Sequence, residues 1–154
     1  MLTDGLLTLL ENGDEQKTFH ARDGQGISLF HRAGLKTGII SGRTSGAVER
    51  RAQDLKMSYL RQGAEDKTKA LEDILTEAEV TAAECAYIGD DLADIPVMNQ
   101  VELAIAVADA VAETKQAAHF VTTHTGGRGA VREVAELILK AQGRWNELMK
   151  LFGQ

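Results

Sequence analysis

Short apolar runs alternate with amphipathic stretches along the whole chain, and glycine-rich or polar breaks separate them. Near the amino terminus, Leu6 to Leu10 and Gln16 to Ala21 flank Asn12-Gly13, a pair that tolerates positive φ, so the pattern predicts a β-hairpin. A helix fits Gly24 to Arg32. Leu35 to Ser41 reads as a buried strand, followed by a helix from about Ser45 to Leu55 and a short strand near Ser58 to Arg61. Lys67 to Thr76 places Leu71, Ile74 and Leu75 on one helical face. Cys85 to Ile88 is a strand, Ala93 to Gln100 a helix with Pro96 near its first turn, and Leu103 to Val107 a strand. A helix from Ala110, a strand over His119 to Thr122 and a long helix from Ala130 complete the alternation. Parallel strands joined by right-handed crossovers follow, which makes the fold class α/β: a Rossmann-like parallel sheet with helices on both faces.

With 154 residues the chain has the size of one domain, and it shows no repeat, low-complexity stretch or linker. No apolar run approaches the roughly 18 residues of a membrane span, and the amino terminus lacks the order of a secretory signal, so a cytoplasmic location is expected. A formal charge of −6 argues against broad nucleic-acid binding while leaving room for a local anion pocket. The single Cys85 excludes an internal disulfide and reads as a small core residue. His31, His119 and His124 are not spaced as metal ligands. In the tail, Trp145, Leu148, Leu151 and Phe152 form an apolar stripe suited to its own domain or to a neighbour.

Candidate chemistry collects where strands end. Tyr87-Ile88-Gly89-Asp90-Asp91-Leu92-Ala93-Asp94 carries three carboxylates within five positions after a buried strand. Magnesium is held by one or two carboxylates together with water and phosphate oxygens, so such a cluster suits phosphoryl chemistry. A plain helix cap at Asp91 is the structural alternative. Ser41-Gly42-Arg43 ends an earlier strand with a hydroxyl, a permissive glycine and a guanidinium that can pair an anion. Lys67 follows Gln62-Gly63 and opens a helix. A hydroxyl, then a lysine, then an acidic cluster, each after a strand, is a combination that single turns do not explain.

These residues, with Leu2-Thr3-Asp4-Gly5, Phe19-His20-Ala21-Arg22-Asp23-Gly24, Val107-Ala108-Asp109-Ala110 and Gly126-Gly127-Arg128-Gly129-Ala130-Val131-Arg132-Glu133, resemble the haloacid-dehalogenase superfamily of phosphatases. The likeness is to the small, capless group typified by KDO 8-phosphate phosphatase, and it covers nearly the whole chain. It implies a Mg²⁺-dependent hydrolase of a sugar-acid phosphate, most directly 3-deoxy-D-manno-octulosonate 8-phosphate in lipopolysaccharide precursor synthesis, with a nonulosonate 9-phosphate as the alternative. By the resemblance, Ser41 binds the transferred phosphoryl group, Lys67 offsets charge beside it, and Asp90 ligates the metal with Asp91 and Asp94 in support. The substrate pocket would take His20, Ala21, Arg22, Asp23, Gly24, Arg43, Arg51, Lys67, Gly127 and Arg128. Relatives of this kind assemble as homotetramers.

One departure matters. The family's nucleophile and acid/base lie in an Asp-x-Asp-Gly motif ahead of the segment that aligns with Met1 to Gly5. Reading Leu2-Thr3-Asp4-Gly5 as that motif would put leucine at the nucleophile. The expectation is therefore an amino-terminally truncated domain, Met1 being an internal methionine, without turnover of its own. The strand that carries the motif would lie between those ending near Ser41 and Ile88, so these two should flank an unfilled position unless the sheet rearranges or borrows Leu6 to Leu10. A non-catalytic assembly domain, related to those of sialic-acid cytidylyltransferases, is the competing reading. A phosphoacceptor receiver domain has its acids first rather than last and does not fit.

Overall fold

The computed structural model describes residues 1–154 except Asn12, Asp14 and Gln154. Its elements follow the predicted alternation, with hairpin strands β1 (Thr8–Leu9) and β2 (Glu15–Gln16), helix α1 (Ala21–Arg32), β3 (Gly38–Ile40), α2 (Gly46–Asp54), β4 (Tyr59–Arg61) and α3 (Lys67–Ala78). Then come β5 (Ala86–Gly89), α4 (Ile95–Met98), β6 (Leu103–Ala106), α5 (Ala112–Gln116), β7 (Phe120–Val121), α6 (Ala130–Ala141) and α7 (Trp145–Lys150). Several boundaries differ from the reading: the strand expected over Leu35 to Ser41 spans only Gly38–Ile40 and that over Gln16 to Ala21 only Glu15–Gln16, and two further differences have physical reasons. Helix α1 starts at Ala21 rather than Gly24, because His20 is extended and its carbonyl already accepts from the Gly24 amide; the glycine sits inside the first turn. The stretch from Ala93 to Gln100 begins as a 3₁₀ turn over Leu92–Asp94, and only Ile95–Met98 is α-helical, with Pro96 in its first turn where no N–H is needed.

All core strands pair in parallel, as crossover connections require, but they form two separate ladders. In one, β3 pairs with β4, Ile39 opposite Leu60. In the other, β5 pairs with β6 and β6 with β7, in register at Ile88 with Ile105 and at Ala106 with Val121. Among the described residues β3 and β5 are each paired along one edge only, and nothing lies hydrogen-bonded between them. The hairpin does not fill that place: β1 pairs only with β2, Leu9 opposite Glu15. The turn expected at Asn12-Gly13 falls partly outside the described residues, while Gly13 takes positive φ and its amide donates to Leu10 O at 2.9 Å.

The largest core joins β3 and β4 to α3 and α4 through Ile40, Tyr59, Leu71, Ile74, Val97, Met98 and Val101. Leu71 and Ile74 are the predicted inner face of α3. Helices α1 and α6 pack on each other, with Leu29 and Leu139 meeting Leu148 of α7. Trp145 joins that cluster and lies under the cations of Lys140 and Arg132, 4.8 and 5.7 Å from its ring centre. The tail stripe thus splits: Trp145 and Leu148 pack on their own domain, and Leu151 and Phe152 are exposed. Cys85 is half-buried rather than a core residue, and burial and then Glu84 push its thiol up. The three histidines serve the scaffold. His31 Nε2 meets Thr37 Oγ1 at 2.7 Å, His119 Nδ1 accepts from the Ala104 amide at 3.1 Å, and His124 Nδ1 meets Glu133 Oε2 at 2.7 Å.

Candidate active site

The carboxyl ends of β3 and β5 bring Ser41, Arg43, Lys67, Asp90 and Asp91 to one mouth. Each arrives there for a local reason. The Ser41 amide continues the β3–β4 ladder by donating to Arg61 O at 2.8 Å, so its side chain sits at the strand end. Its hydroxyl closes a small turn, donating to Arg43 O at 3.0 Å and accepting from the Arg43 amide at 3.1 Å. Lys67 is the first residue of α3, fixed by Asp66, whose Oδ1 accepts from the amides of Thr68 and Lys69.

Asp94 organises the mouth from beneath. Its carboxylate is fully buried; Oδ1 accepts from Lys67 Nζ and from Tyr87 Oη, both at 2.7 Å, and Oδ2 accepts from the amides of Asp90 at 3.0 Å and Asp91 at 3.2 Å. Burial alone would raise its pKa, yet the Lys67, Asp90 and Tyr87 hydrogen bonds together hold it down to about 2. Burial, and then the same carboxylate, push the Tyr87 phenol far above its usual range, so it stays a neutral donor. Gly89 makes this possible. A Cβ there would fall 2.7 Å from both Asp94 Cβ and Met98 Sδ. Both oxygens of Asp94 thus accept from protein donors, one holding the lysine and one the turn that presents Asp90. Asp91 caps the following 3₁₀ turn through Leu92 N at 2.8 Å.

Asp90 is left facing the mouth, with Oδ2 3.5 Å from the Met1 ammonium. Burial raises its carboxyl pKa, the ammonium lowers it, and the net direction is upward. A carboxylate facing the mouth fits Mg²⁺, which asks for one or two protein oxygens and keeps water and phosphate for the rest, and the ion would take the place of the Met1 ammonium. Among the described residues no group of three His, Cys, Asp or Glu side chains is placed to cage a metal.

The predicted substrate-pocket residues are dispersed. Arg43 reaches the mouth and pairs with Glu15 of the hairpin, which also holds Lys17 at 3.0 Å. His20, Ala21, Gly24 and Arg51 gather at the start of α1, where the Arg51 guanidinium lies 5.6 Å from the Phe19 ring centre. A Cβ on Gly24 would stand 2.5 Å from Arg51 Nη2, so the glycine admits the arginine. Asp23 braces the scaffold. It is fully buried and accepts from the amides of Gly129 at 3.2 Å and Arg132 at 2.9 Å, fixing the start of α6. Gly127 and Arg128 hold the amino-terminal segment: the Gly127 amide donates to Met1 O at 2.8 Å, and Arg128 Nη2 pairs Asp4 Oδ2 at 3.4 Å. Arg22 and Arg128 line a second cavity of about 620 Å³ with His124 and Arg132.

Sequence reasoning missed Tyr87 and Glu15. Tyr87 had a usable signal, a phenol in an otherwise apolar strand seven positions before an acid; Glu15 had none beyond its sign.

Known proteins resemble this chain over nearly its whole length. A profile of haloacid dehalogenase-like hydrolases matches residues 60–134, which span Lys67, Asp90 and Asp94. The 3-deoxy-D-manno-octulosonate 8-phosphate phosphatase of Escherichia coli K12 is 44% identical over 147 residues, 96% of this chain and 78% of that protein. A crystal structure of the same-named phosphatase from Moraxella catarrhalis, in complex with magnesium, phosphate and KDO, superposes with a TM-score of 0.95 at 39% identity, covering 99% of this chain and 87% of that one. The cobalt-bound deoxy-D-mannose-octulosonate 8-phosphate phosphatase from Haemophilus influenzae gives 0.90 at 41% identity, covering 93% and 84%.

Proposed function

This chain belongs to the haloacid dehalogenase-like hydrolases, in their 3-deoxy-D-manno-octulosonate 8-phosphate phosphatase group of phosphoric monoester hydrolases, and we propose that its site acts on that sugar-acid phosphate with Mg²⁺. The observation that carries the proposal is the arrangement in which one buried carboxylate, Asp94, holds both the Lys67 ammonium and the turn presenting Asp90. The magnesium-, phosphate- and KDO-bound relative supports the choice of metal and substrate. Among the described residues no helix is long and apolar enough to cross a membrane. We assign the chain to the cytoplasm and to lipopolysaccharide precursor synthesis from its likeness to the phosphatases above. Leu6 and Leu9, both 70% exposed, leave an apolar surface at the amino-terminal hairpin that an assembly could cover, and we take the homotetramer as the working assembly.

The residues divide the chemistry as follows. Lys67, its charge held by Asp94, sets an ammonium beside the phosphoryl position; Ser41, released from its turn with Arg43, donates to a phosphoryl oxygen. Arg43 binds the anionic end of the substrate, exchanging Glu15 for it. Asp90 would hold Mg²⁺, and the ion would supply charge neutralisation to the bound phosphate. Phosphoryl transfer to an aspartate also needs a free carboxylate in line. Among the described residues none is placed for it: Asp94 is committed to Lys67, Asp91 to its cap and Asp4 to Arg128. We therefore take the nucleophile and acid/base to reside in an Asp-x-Asp-Gly segment outside residues 1–154, and these residues alone to be without turnover. The test is a substrate panel on the chain extended by such a strand. Preference for 3-deoxy-D-manno-octulosonate 8-phosphate supports the reading, preference for a nonulosonate 9-phosphate corrects the substrate, and no phosphatase activity in a folded, Mg²⁺-binding protein rejects it.

A further inference from the structure

Two cations of the mouth share one carboxylate. Arg43 Nη2 pairs Glu15 Oε1, and Lys17 Nζ stands 3.0 Å from Glu15 Oε2, so each oxygen of Glu15 meets a positive charge. Glu15 and Lys17 are two positions apart on an extended chain and project to the same face of the hairpin. Arg43 comes from the other side, out of the turn that ends β3. Lys17 and Arg43 both line the cavity of about 600 Å³ that opens beside Ser41, Lys67 and Asp90, whereas Glu15 grips them without lining it. The Lys17 side chain is 9% exposed and that of Glu15 15%, against 58% for Arg43. An ammonium so shielded needs an anion beside it. The Arg43 and then the Lys17 charge hold the Glu15 carboxyl below its usual range, so the group stays ionised between them.

We infer that Lys17 and Arg43 form a two-cation clamp for the carboxylate of the substrate, with Glu15 as its resident occupant, which makes Lys17 a specificity-determining residue of this site. Resident and guest are chemically alike. Glu15 shows what the pair of cations accepts: one carboxylate, with one oxygen to each cation. A sugar acid presents the same group from the cavity side, and a small aryl phosphate presents nothing beyond the phosphoryl group that Ser41 and Lys67 take. Exchange is open to Glu15 because β1 and β2 pair over only two residues each, a ladder too short to stay rigid on its own, so the strand can withdraw when another carboxylate takes its cations. The internal carboxylate competes with the external one and lowers the apparent affinity for carboxylate ligands in proportion to the time it fills the clamp. Only the identity of the guest, a sugar acid, rests on the function proposed above; the clamp itself rests on the placement of Glu15, Lys17 and Arg43.

The experiment titrates the chain in Mg²⁺ with 3-deoxy-D-manno-octulosonate, with the methyl ester of that acid and with pyruvate, and reads dissociation constants by calorimetry for the wild type, Glu15→Gln, Lys17→Met and Lys17→Arg. Glu15→Gln should tighten the sugar acid by about tenfold, by removing the resident competitor, and Lys17→Met should weaken it by about tenfold. Lys17→Arg keeps the charge and should bind like the wild type, and the ester should be indifferent to all three changes. Glu15→Gln weakening the acid as much as Lys17→Met does would make Glu15 a brace rather than an occupant and overturns the inference, as does a Lys17→Met chain that binds the acid like the wild type. A second readout needs no variant: the acid should shift the amide resonances of Glu15 and Gln16 in the wild-type chain and the ester should not, and resonances that stay in place while the acid binds also overturn it. Pyruvate bound in the expected pattern with no binding of the sugar acid leaves the clamp standing and counts against the substrate proposed above. Failure of both acids to bind overturns the clamp, whereas the phosphatase reading stands or falls on its own turnover assay.

Discussion

Lys67 Nζ and Tyr87 Oη converge on a single oxygen, Asp94 Oδ1, each at 2.7 Å, while the other oxygen of that carboxylate holds the Asp90 turn. The sheet end, the first turn of α3 and the acidic loop are thereby fixed to one buried charge. Breaking it should disturb all three together.

Acid should expose this charge directly. The folded pKa of Asp94 is about 2 against an ordinary 3.8, so the group contributes stability above pH 4 and loses it as pH falls through 2. A shift of that size corresponds to about 2 kcal/mol. Asp90 runs the other way. Its pKa is raised, so ionising it costs stability, and the cost disappears as pH falls through its folded value. Denaturant midpoints measured from pH 6 to pH 2 should drop most steeply below pH 4, and Tyr87→Phe should make that drop smaller and complete it at higher pH, because losing a donor to the carboxylate raises the folded pKa.

Asp23 gives a prediction that separates scaffold from pocket. Its carboxylate, fully buried, accepts two amides at the start of α6. Asp23→Ala should destabilise the fold by about 2 kcal/mol, because a charged acceptor is lost and two amides are left unpaired. Chemical denaturation measures this. A variant of unchanged stability with altered ligand binding alone would restore Asp23 to the substrate pocket.

Gly127 has φ +65, and a Cβ there would overlap the Thr3 carbonyl carbon and stand 2.5 Å from the Asp4 amide nitrogen. Gly127→Ala should therefore detach Met1 to Asp4 and cost about 1 to 3 kcal/mol. Limited proteolysis ahead of Gly5 should accelerate; unchanged cleavage and unchanged stability would show that the segment is not held by this contact.

Magnesium should stabilise the chain through Asp90. Binding to the folded state alone adds stability with the logarithm of metal concentration. The melting temperature should rise with Mg²⁺, and the rise should vanish in Asp90→Asn but persist in Asp91→Asn, whose side chain serves as a cap.

Much of this architecture could be read from the chain because it is written locally. The strand at Tyr87 to Gly89, the inner face of α3 and the acidic loop depend on neighbours within a turn or two. What could not be read depends on partners far away. Asp23 meets Arg132 across 109 positions, and Arg128 meets Asp4 across 124, so composition and spacing offered no sign that these residues brace the scaffold. Asp94 looked like its neighbours in the acidic run; only its burial and the Lys67 contact distinguish it.

Recognition of the sugar acid should separate from recognition of phosphate. In the chain extended by an Asp-x-Asp-Gly strand, Arg43→Ala or Arg51→Ala should reduce turnover of the sugar-acid phosphate more than that of a small aryl phosphate, because only the former presents further anionic groups. Equal losses on both would place these arginines in general phosphate binding or in folding.

The most direct measurement is phosphate release from 3-deoxy-D-manno-octulosonate 8-phosphate in Mg²⁺, comparing residues 1–154 alone, their Lys67→Ala variant and the strand-extended chain. The account predicts that the first two are indistinguishable, and that the extended chain turns over and loses that turnover in Asp90→Ala. Residues 1–154 releasing phosphate well above their Lys67→Ala variant, or an extended chain indifferent to Asp90, would contradict it.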